Sequence, residues 1–481
     1  MKDLYEAVIG LEIHAQISTK TKMFCRCDND SFSHEPNINT CEICMGFPGT
    51  LPLINKEAVQ KGLITGLALH ATLPNFSKFD RKNYFYPDLP KGFQISQYDE
   101  PICVKGYVEI EINDEIKKIG IERLHLEDDA GKLTHVNSGT LCDFNRSGTP
   151  LMEIVSAPEI RNEKEAVQYA KEIQKILRYL GSSDADMEKG MMRFDINVSV
   201  RKKGIQTFGT KVEVKNLNSF KALEKAIIYE INRQIKTIEK GKKIIQETRG
   251  WDDVHGVTLS QRTKEEAQDY RYFPEPDLPP LSIDGKMIEE MRKSLPELPL
   301  EKRLRFEKEW KISKEDARIL TEDLLRARFF EETVNSYNDP KKAAAFINTI
   351  LLGHLNKDNK AIKDTKITPQ HLGKLIQYIN EGKISYNLAK GEIFDEMYES
   401  GQDPELIIQK KGMSQKFDEK KLKSLCETIL KENPQIVEQY KNGKKSVMGF
   451  FIGQVMQKTL GAANPKEVQM VIEELIEEQK S

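Results

Sequence analysis

Two sets of residues near the start of the chain have types and spacings suited to chemistry. Cys25-Arg-Cys27 and Cys41-Glu-Ile-Cys44 place four thiols in two short chelating pairs across a thirteen-residue gap, the arrangement a tetrahedral zinc site requires. A closed four-thiolate site keeps no open coordination position, so its expected role is to staple the loop 25–44 rather than to react. Four structural cysteines without a metal are the alternative. Just ahead of them, Ala7–Gln16 alternates: Ala7, Ile9, Leu11, Ile13 and Ala15 share one face, and Glu12, His14 and Gln16 share the other. Glu12 and His14 offer ligands for a second, catalytic metal. Two unlike metal chemistries in one short segment point to an enzyme.

The elements that must position these groups are legible up to about residue 292. Ile121–Glu127 sets Leu124 and Leu126 against Arg123, His125 and Glu127. Phe194–Arg201 sets Phe194, Ile196, Val198 and Val200 against Asp195, Asn197, Ser199 and Arg201, and Lys211–Lys215 sets Val212 and Val214 against Lys211, Glu213 and Lys215. Each such strand has an apolar face for a core and a polar face bearing a carboxylate, so Glu12, His14, Glu127, Asp195 and Glu213 are expected to converge in one concavity. Two amphipathic helices are expected to cover the apolar side. One is capped by Asn162, with Glu165 at capping-box spacing, and the other starts at Ser219. The Pro-rich run from Phe273 to Leu281 ends this region.

Beyond it the pattern is helical and highly charged, with helices expected over 301–310, 314–337, 340–355, 369–381, 402–411, 448–457 and 465–478. The fold class expected is α+β: a cradle-like antiparallel-sheet domain over 1–292, then two all-α domains, 293–405 and 406–481. Between Gln409 and Leu460 there are eleven lysines against five acidic residues, in a chain of net charge −2. A lysine-rich tail beside an acidic body fits a polyanionic partner; a solvated helical surface is the alternative.

Composition narrows the class further. With 481 residues, several domains are expected. Seven cysteines, an odd number with Cys103, Cys142 and Cys426 isolated, do not make a disulfide framework, so a reducing cytosol is expected. The segment MKDLYEAVIG lacks the features of a signal or transit peptide, and no apolar run approaches a membrane span. The expected location is the cytoplasm.

An ordered set of motifs narrows the function. Gly10-Leu-Glu-Ile-His14, the segment from Phe79 to Gly92, Gln94-Ile-Ser-Gln97, His125-Leu-Glu-Asp-Asp-Ala-Gly131 and the segment from Asp143 to Glu153 come first. Lys215-Asn-Leu-Asn-Ser219, the segment from Asp269 to Asp277, and the tail motif Gly443–Gly449 with Gly453–Met456 and Ala463–Pro465 follow. Together they resemble the B subunit of the glutamyl-/aspartyl-tRNA amidotransferases, densely over residues 4–282 and again in the tail. The resemblance implies an ATP- and magnesium-dependent site that phosphorylates the side-chain carboxylate of Glu-tRNA(Gln) or Asp-tRNA(Asn). Ammonia from a partner amidase (A) subunit then displaces the phosphate, and a small C subunit completes a heterotrimer.

By motif position, Glu12, His14 and Glu127 correspond to the magnesium-site residues, with Asp195 and Glu213 extending the acidic face. Lys82, Lys91, Lys215, Arg146 and Asn216 are the candidates for ATP and phosphate contacts, and Lys444 and Lys445 for tRNA. His14 is an unusual magnesium ligand, since imidazole suits softer metals; binding a water, holding another metal or orienting a carboxylate stay open for it. No Ser-x-Ser-Lys amidase signature or N-terminal cysteine nucleophile is present, so a chain that activates a carboxylate needs a partner to make ammonia and a tunnel to deliver it. A metal-dependent hydrolase and a non-catalytic tRNA-binding adaptor are the competing classes.

Overall fold

The computed structural model describes residues 4–263, 270–411, 419–459, 463 and 465–478. Met1 to Asp3 of the N-terminal segment, and Asp269 and Asn464 of the motifs above, lie outside the described residues. The chain divides into two compact units, Met1–Glu301 and Lys302–Ser481.

The first unit is built on an eight-stranded sheet. In chain order its strands are β1 (Tyr5–Gln16), β2 (Cys103–Ile112), β3 (Glu115–Asp128), β4 (Pro150–Ser156), β5 (Met192–Lys202), β6 (Val212–Leu217), β7 (Glu247–Asp252) and β8 (Val257–Thr263). They lie in the order β8-β7-β6-β5-β1-β4-β3-β2, antiparallel except for β6 beside β7. The alternation in β1 and β5 has the expected consequence: Ile9, Leu11, Ile13, Phe194, Ile196 and Val198 are fully buried in one core.

Helices α1 (Lys56–Ala68), α2 (Glu163–Tyr179) and α3 (Phe220–Glu239) contribute buried faces to that core. Asn162 caps α2 by accepting the Glu165 N–H at 2.9 Å. The Glu165 carboxylate takes the N–H of Arg161 at 2.8 Å, one residue before the cap, so the capping box is shifted by one position. Ser219 caps α3 through the Ala222 N–H at 3.1 Å. Helix α1 is not among the elements expected from the sequence. Its Gly62 and Gly66 serve close packing: a Cβ on Gly66 would sit 2.1 Å from the Cys103 sulfur, and one on Gly62 would sit 2.9 Å from Leu126.

The second unit is helical among its described residues, and two hydrophobic clusters organise it. One runs from Phe306 to Ile408 and the other from Leu422 to Ile476. The stretch expected as one helix over 314–337 is two, Lys314–Leu320 and Leu324–Ser336, because Asp323 caps the second by accepting the Arg326 N–H. The stretch expected over 340–355 passes through a π-helical segment, Phe346–Leu351, before continuing to Lys357. No described helix is long and apolar enough to cross a membrane.

Candidate active site and metal centres

Strand register assembles the polar face of the sheet. His14 on β1 lies opposite Arg193 on β5 and Glu153 on β4, and Glu153 lies opposite His125 on β3. One row over, Glu12 faces Asp195, and Asn197 next to it on that face pairs with Glu213 of β6. Side chains in register on one face are neighbours, so Glu12, His14, Glu127, Asp195 and Glu213 share a single surface, as expected.

That surface holds two clusters rather than one. In the first, the ligand atoms of His14, Glu127 and Glu153 lie within 4.8 Å of one another, and in the second those of Glu12, Asp195 and Glu213 do. By distance, Glu12 groups with Asp195 and Glu213, and Glu153 joins His14 and Glu127. The sequence reading missed Glu153 because β4 is buried on both faces, so its run Leu-Met-Glu-Ile-Val shows no alternation. Its signals are a lone carboxylate in an apolar strand and its place at the end of the motif that begins at Asp143. His125 was visible on the polar face beside Glu127 but was given no role.

The first cluster is almost dry. Glu127 is 2% exposed and His125 4%. The His14 Nε2 sits 3.2 Å from Glu153, and the His125 Nε2 sits 3.5 Å from Glu153 and 3.7 Å from Glu127. Ser96 donates to Glu127 at 3.0 Å. Burial alone would raise the Glu153 carboxyl, but His125, His14 and Lys82 hold it well below the ordinary range. Glu127 is lowered in the same way, against its burial, by His125 and Lys82. Burial would lower His14, but its hydrogen bond to Glu153 together with the negative charges of Glu153 and Asp195 raises it overall. Buried anionic oxygens beside imidazoles whose Nδ1 atoms have no hydrogen-bond partner among the described residues (His14 and His125) suit a cation with mixed oxygen and nitrogen ligands.

The signs of these shifts fix a pH window for the metal-free protein. The depressed Glu153 contributes stability above its ordinary pKa of 4.5, lost as pH falls. The raised His14 contributes stability below its ordinary 6.5, lost as pH rises. Melting curves of wild type and Glu153→Gln, both stripped of metal, should therefore differ most between pH 4.5 and 6.5.

The second cluster is more open. Burial raises Glu12, and Glu153, Asp195 and Glu213 add to this. Asn197 donates to Glu12 at 2.9 Å and Thr248 to Glu213 at 2.8 Å. Lys215 lies 3.1 Å from Glu213 and 3.8 Å from Asp195. Asn216 acts through its backbone: at φ +63° beside a register shift between β5 and β6, its N–H donates to Asp195 at 2.9 Å while its side chain is exposed. That conformation suits asparagine better than most residues.

The other cations differ in the partners they have. The Lys82 ammonium lies 5.0 Å from the Tyr270 ring and 5.8 Å from that of Tyr84, close enough to lower both Glu127 and Glu153. Tyr98 and Tyr272 stack at 4.3 Å, extending an aromatic wall beside it. Lys91 is ion-paired with Asp128, and Arg146 binds Asp129 at 2.9 Å, with Arg193 3.7 Å from the same carboxylate. Lys91 and Arg146 therefore brace the acidic loop that follows Glu127. Lys444 and Lys445 are exposed ahead of the helix Met448–Lys458 in the second unit.

The sulfurs of Cys25, Cys27, Cys41 and Cys44 also lie within 4.8 Å of one another. Cys44 is held down to about 5, first by its hydrogen bond with Cys25 and further by the Cys41 N–H and Lys22. Burial pushes Cys27 up to about 12. The loop also touches the site's bracing: at Gly46, with φ +69°, a Cβ would come 2.6 Å from the Lys91 side chain. Cys41→Ala should abolish retention of a thiophilic metal and destabilise the first unit by more than about 3 kcal/mol, read by metal analysis and thermal unfolding.

Comparison with known proteins identifies the family. The family described as the GatB/GatE catalytic domain matches residues 7–289, and the GatB domain matches 328–476. The B subunit of the aspartyl/glutamyl-tRNA(Asn/Gln) amidotransferase of Persephonella marina is 50% identical over 473 residues, 98% of this chain and 99% of that protein. The protein of the same description from Thermoanaerobacter pseudethanolicus is 50% identical over 471 residues, 98% of this chain and 99% of that protein. That of Carboxydothermus hydrogenoformans is 48% identical over 473 residues, 97% of this chain and 98% of that protein. The chain belongs to the B-subunit family of the tRNA-dependent amidotransferases, a family of glutamine-dependent carbon–nitrogen ligases.

Proposed function

We propose that this chain is the carboxylate-activating B subunit of a heterotrimeric amidotransferase, working in the cytoplasm with an amidase (A) and a small C subunit. Its substrate is Glu-tRNA(Gln), Asp-tRNA(Asn) or both. The observation that carries this reading is the pair of acidic clusters lying side by side on one face with Lys82 and a tyrosine wall. A side-chain carboxylate oxygen of the substrate attacks the γ-phosphorus of ATP, and ADP leaves. Ammonia then attacks the activated carbonyl carbon; phosphate departs and ammonia gives up a proton, leaving the amide.

The residues divide this work. His14, Glu127 and Glu153 would hold one magnesium ion, and Glu12, Asp195 and Glu213 suit a second. Bound there, magnesium supplies the positive charge that gathers the triphosphate and offsets charge on the transferred phosphoryl group. Lys82 and Lys215 add fixed positive charge at the same face, and the tyrosines offer flat surfaces for a base. The dryness around Glu127 and His125 protects an activated acyl phosphate from water. Cys25, Cys27, Cys41 and Cys44 would hold a zinc ion, which would fasten their loop against Lys91. The second unit would comprise a helical domain and, from residue 406, a tRNA-binding tail.

The division of labour between subunits is testable. With the partner's amidase nucleophile blocked and ammonium chloride replacing glutamine, the complex should still convert mischarged tRNA to its amidated form in the presence of ATP. Failure under these conditions would mean that the amide is not made on this chain.

A further inference from the structure

Lys22 is fully buried, and an ammonium group is among the most expensive groups to take out of water without an anion beside it. It forms no ion pair with a carboxylate among the described residues. Its Nζ donates to the backbone carbonyl of Asn39 at 2.8 Å and approaches that of Phe144 at 3.5 Å, with the Cys44 sulfur 3.8 Å away. The anionic partner within reach is therefore sulfur. The pocket is shaped around this side chain: a Cβ on Gly148, at φ +87°, would lie 3.5 Å from the Lys22 Cδ and 3.3 Å from the Cys44 Cβ. The Cys41 N–H also points at the Cys44 sulfur, at 3.1 Å.

We infer that Lys22 is the built-in counter-charge of the four-cysteine site, a positioning residue that sets how firmly the thiolates hold a thiophilic divalent cation. This rests on the reading that the four cysteines bind a metal. Four thiolates around such a cation leave surplus negative charge in a buried place, and the ammonium beside Cys44 offsets part of it. The same group joins the cysteine loop, through Asn39, to the turn Phe144–Arg146, whose arginine braces Asp129. Zinc retention and the bracing of the acidic loop thereby share one side chain.

The test uses the full-length chain loaded with zinc or cobalt. Lys22→Met removes charge and donors, Lys22→Gln keeps a donor without charge, and Lys22→Arg keeps the charge. Zinc transfer to a chromogenic chelator should be at least tenfold faster from Lys22→Met and Lys22→Gln than from wild type, and close to wild type from Lys22→Arg. In cobalt-loaded protein, the thiolate-to-cobalt charge-transfer band should move to lower energy in the two uncharged variants. If Lys22→Met fails to fold, Lys22→Gln carries the comparison. Equal release rates and unchanged spectra in loaded, folded variants would overturn the role of Lys22 alone. A wild-type chain that retains no thiolate-bound metal would overturn the cysteine-site reading, and this inference with it.

Discussion

Glu127→Gln should lower ATP-dependent amidation of mischarged tRNA by on the order of 1,000-fold, while glutamine hydrolysis by the partner amidase continues at its basal rate. Glutamine keeps the shape and the Ser96 hydrogen bond but removes a buried negative charge that His125 and Lys82 are arranged to stabilise. Removing a group that only orients a metal ligand typically costs about 10–100-fold, so removing a ligand itself should cost more. Glu153→Gln should behave similarly, because Glu153 is the carboxylate that both His14 and His125 face. The measurement is a single-turnover assay with saturating ATP. Activity within tenfold of wild type in either variant would remove that residue from the site.

Deleting the tail from about residue 409 should weaken binding of mischarged tRNA by at least about tenfold while leaving the first unit folded. That unit has its own sheet and core. The lysine excess makes much of the tail's contribution electrostatic, so affinity should fall steeply with salt. Replacing Lys444 or Lys445 should shallow the dependence of log Kd on log salt by roughly one for each phosphate that is no longer neutralised. The change should appear in KM, with kcat near wild type, because the reacting carboxylate is at the aminoacyl end of the tRNA. Equal affinity at every salt concentration would reduce the tail to a structural appendage.

How much of this was readable in the sequence follows from where polarity alternates. β1, β3 and β5 alternate apolar and polar residues in the sequence, so Glu12, His14, Glu127 and Asp195 stood out. The close cysteine pairs announced their own convergence. β4 is covered on both faces, and there the alternation that would have exposed Glu153 disappears. The division into two clusters was hidden for another reason: it depends on which strands adjoin β1, and strand order is non-local. Asn216 and Lys91 stand out by residue type alone, while their neighbours are non-local: the Asn216 N–H holds Asp195, and Lys91 is ion-paired with Asp128. Residue type marks such positions as unusual; only the neighbours show what they do.

The most direct test of the central claim is the coupling of ATP to mischarged tRNA. The complex should release ADP stoichiometrically when given Glu-tRNA(Gln) or Asp-tRNA(Asn) without glutamine, and hydroxylamine added to that mixture should trap the activated side chain as a hydroxamate. Correctly charged tRNA should give neither product. ADP release independent of the aminoacyl group, or amidation without ATP consumption, would contradict a carboxylate-activating site on this chain.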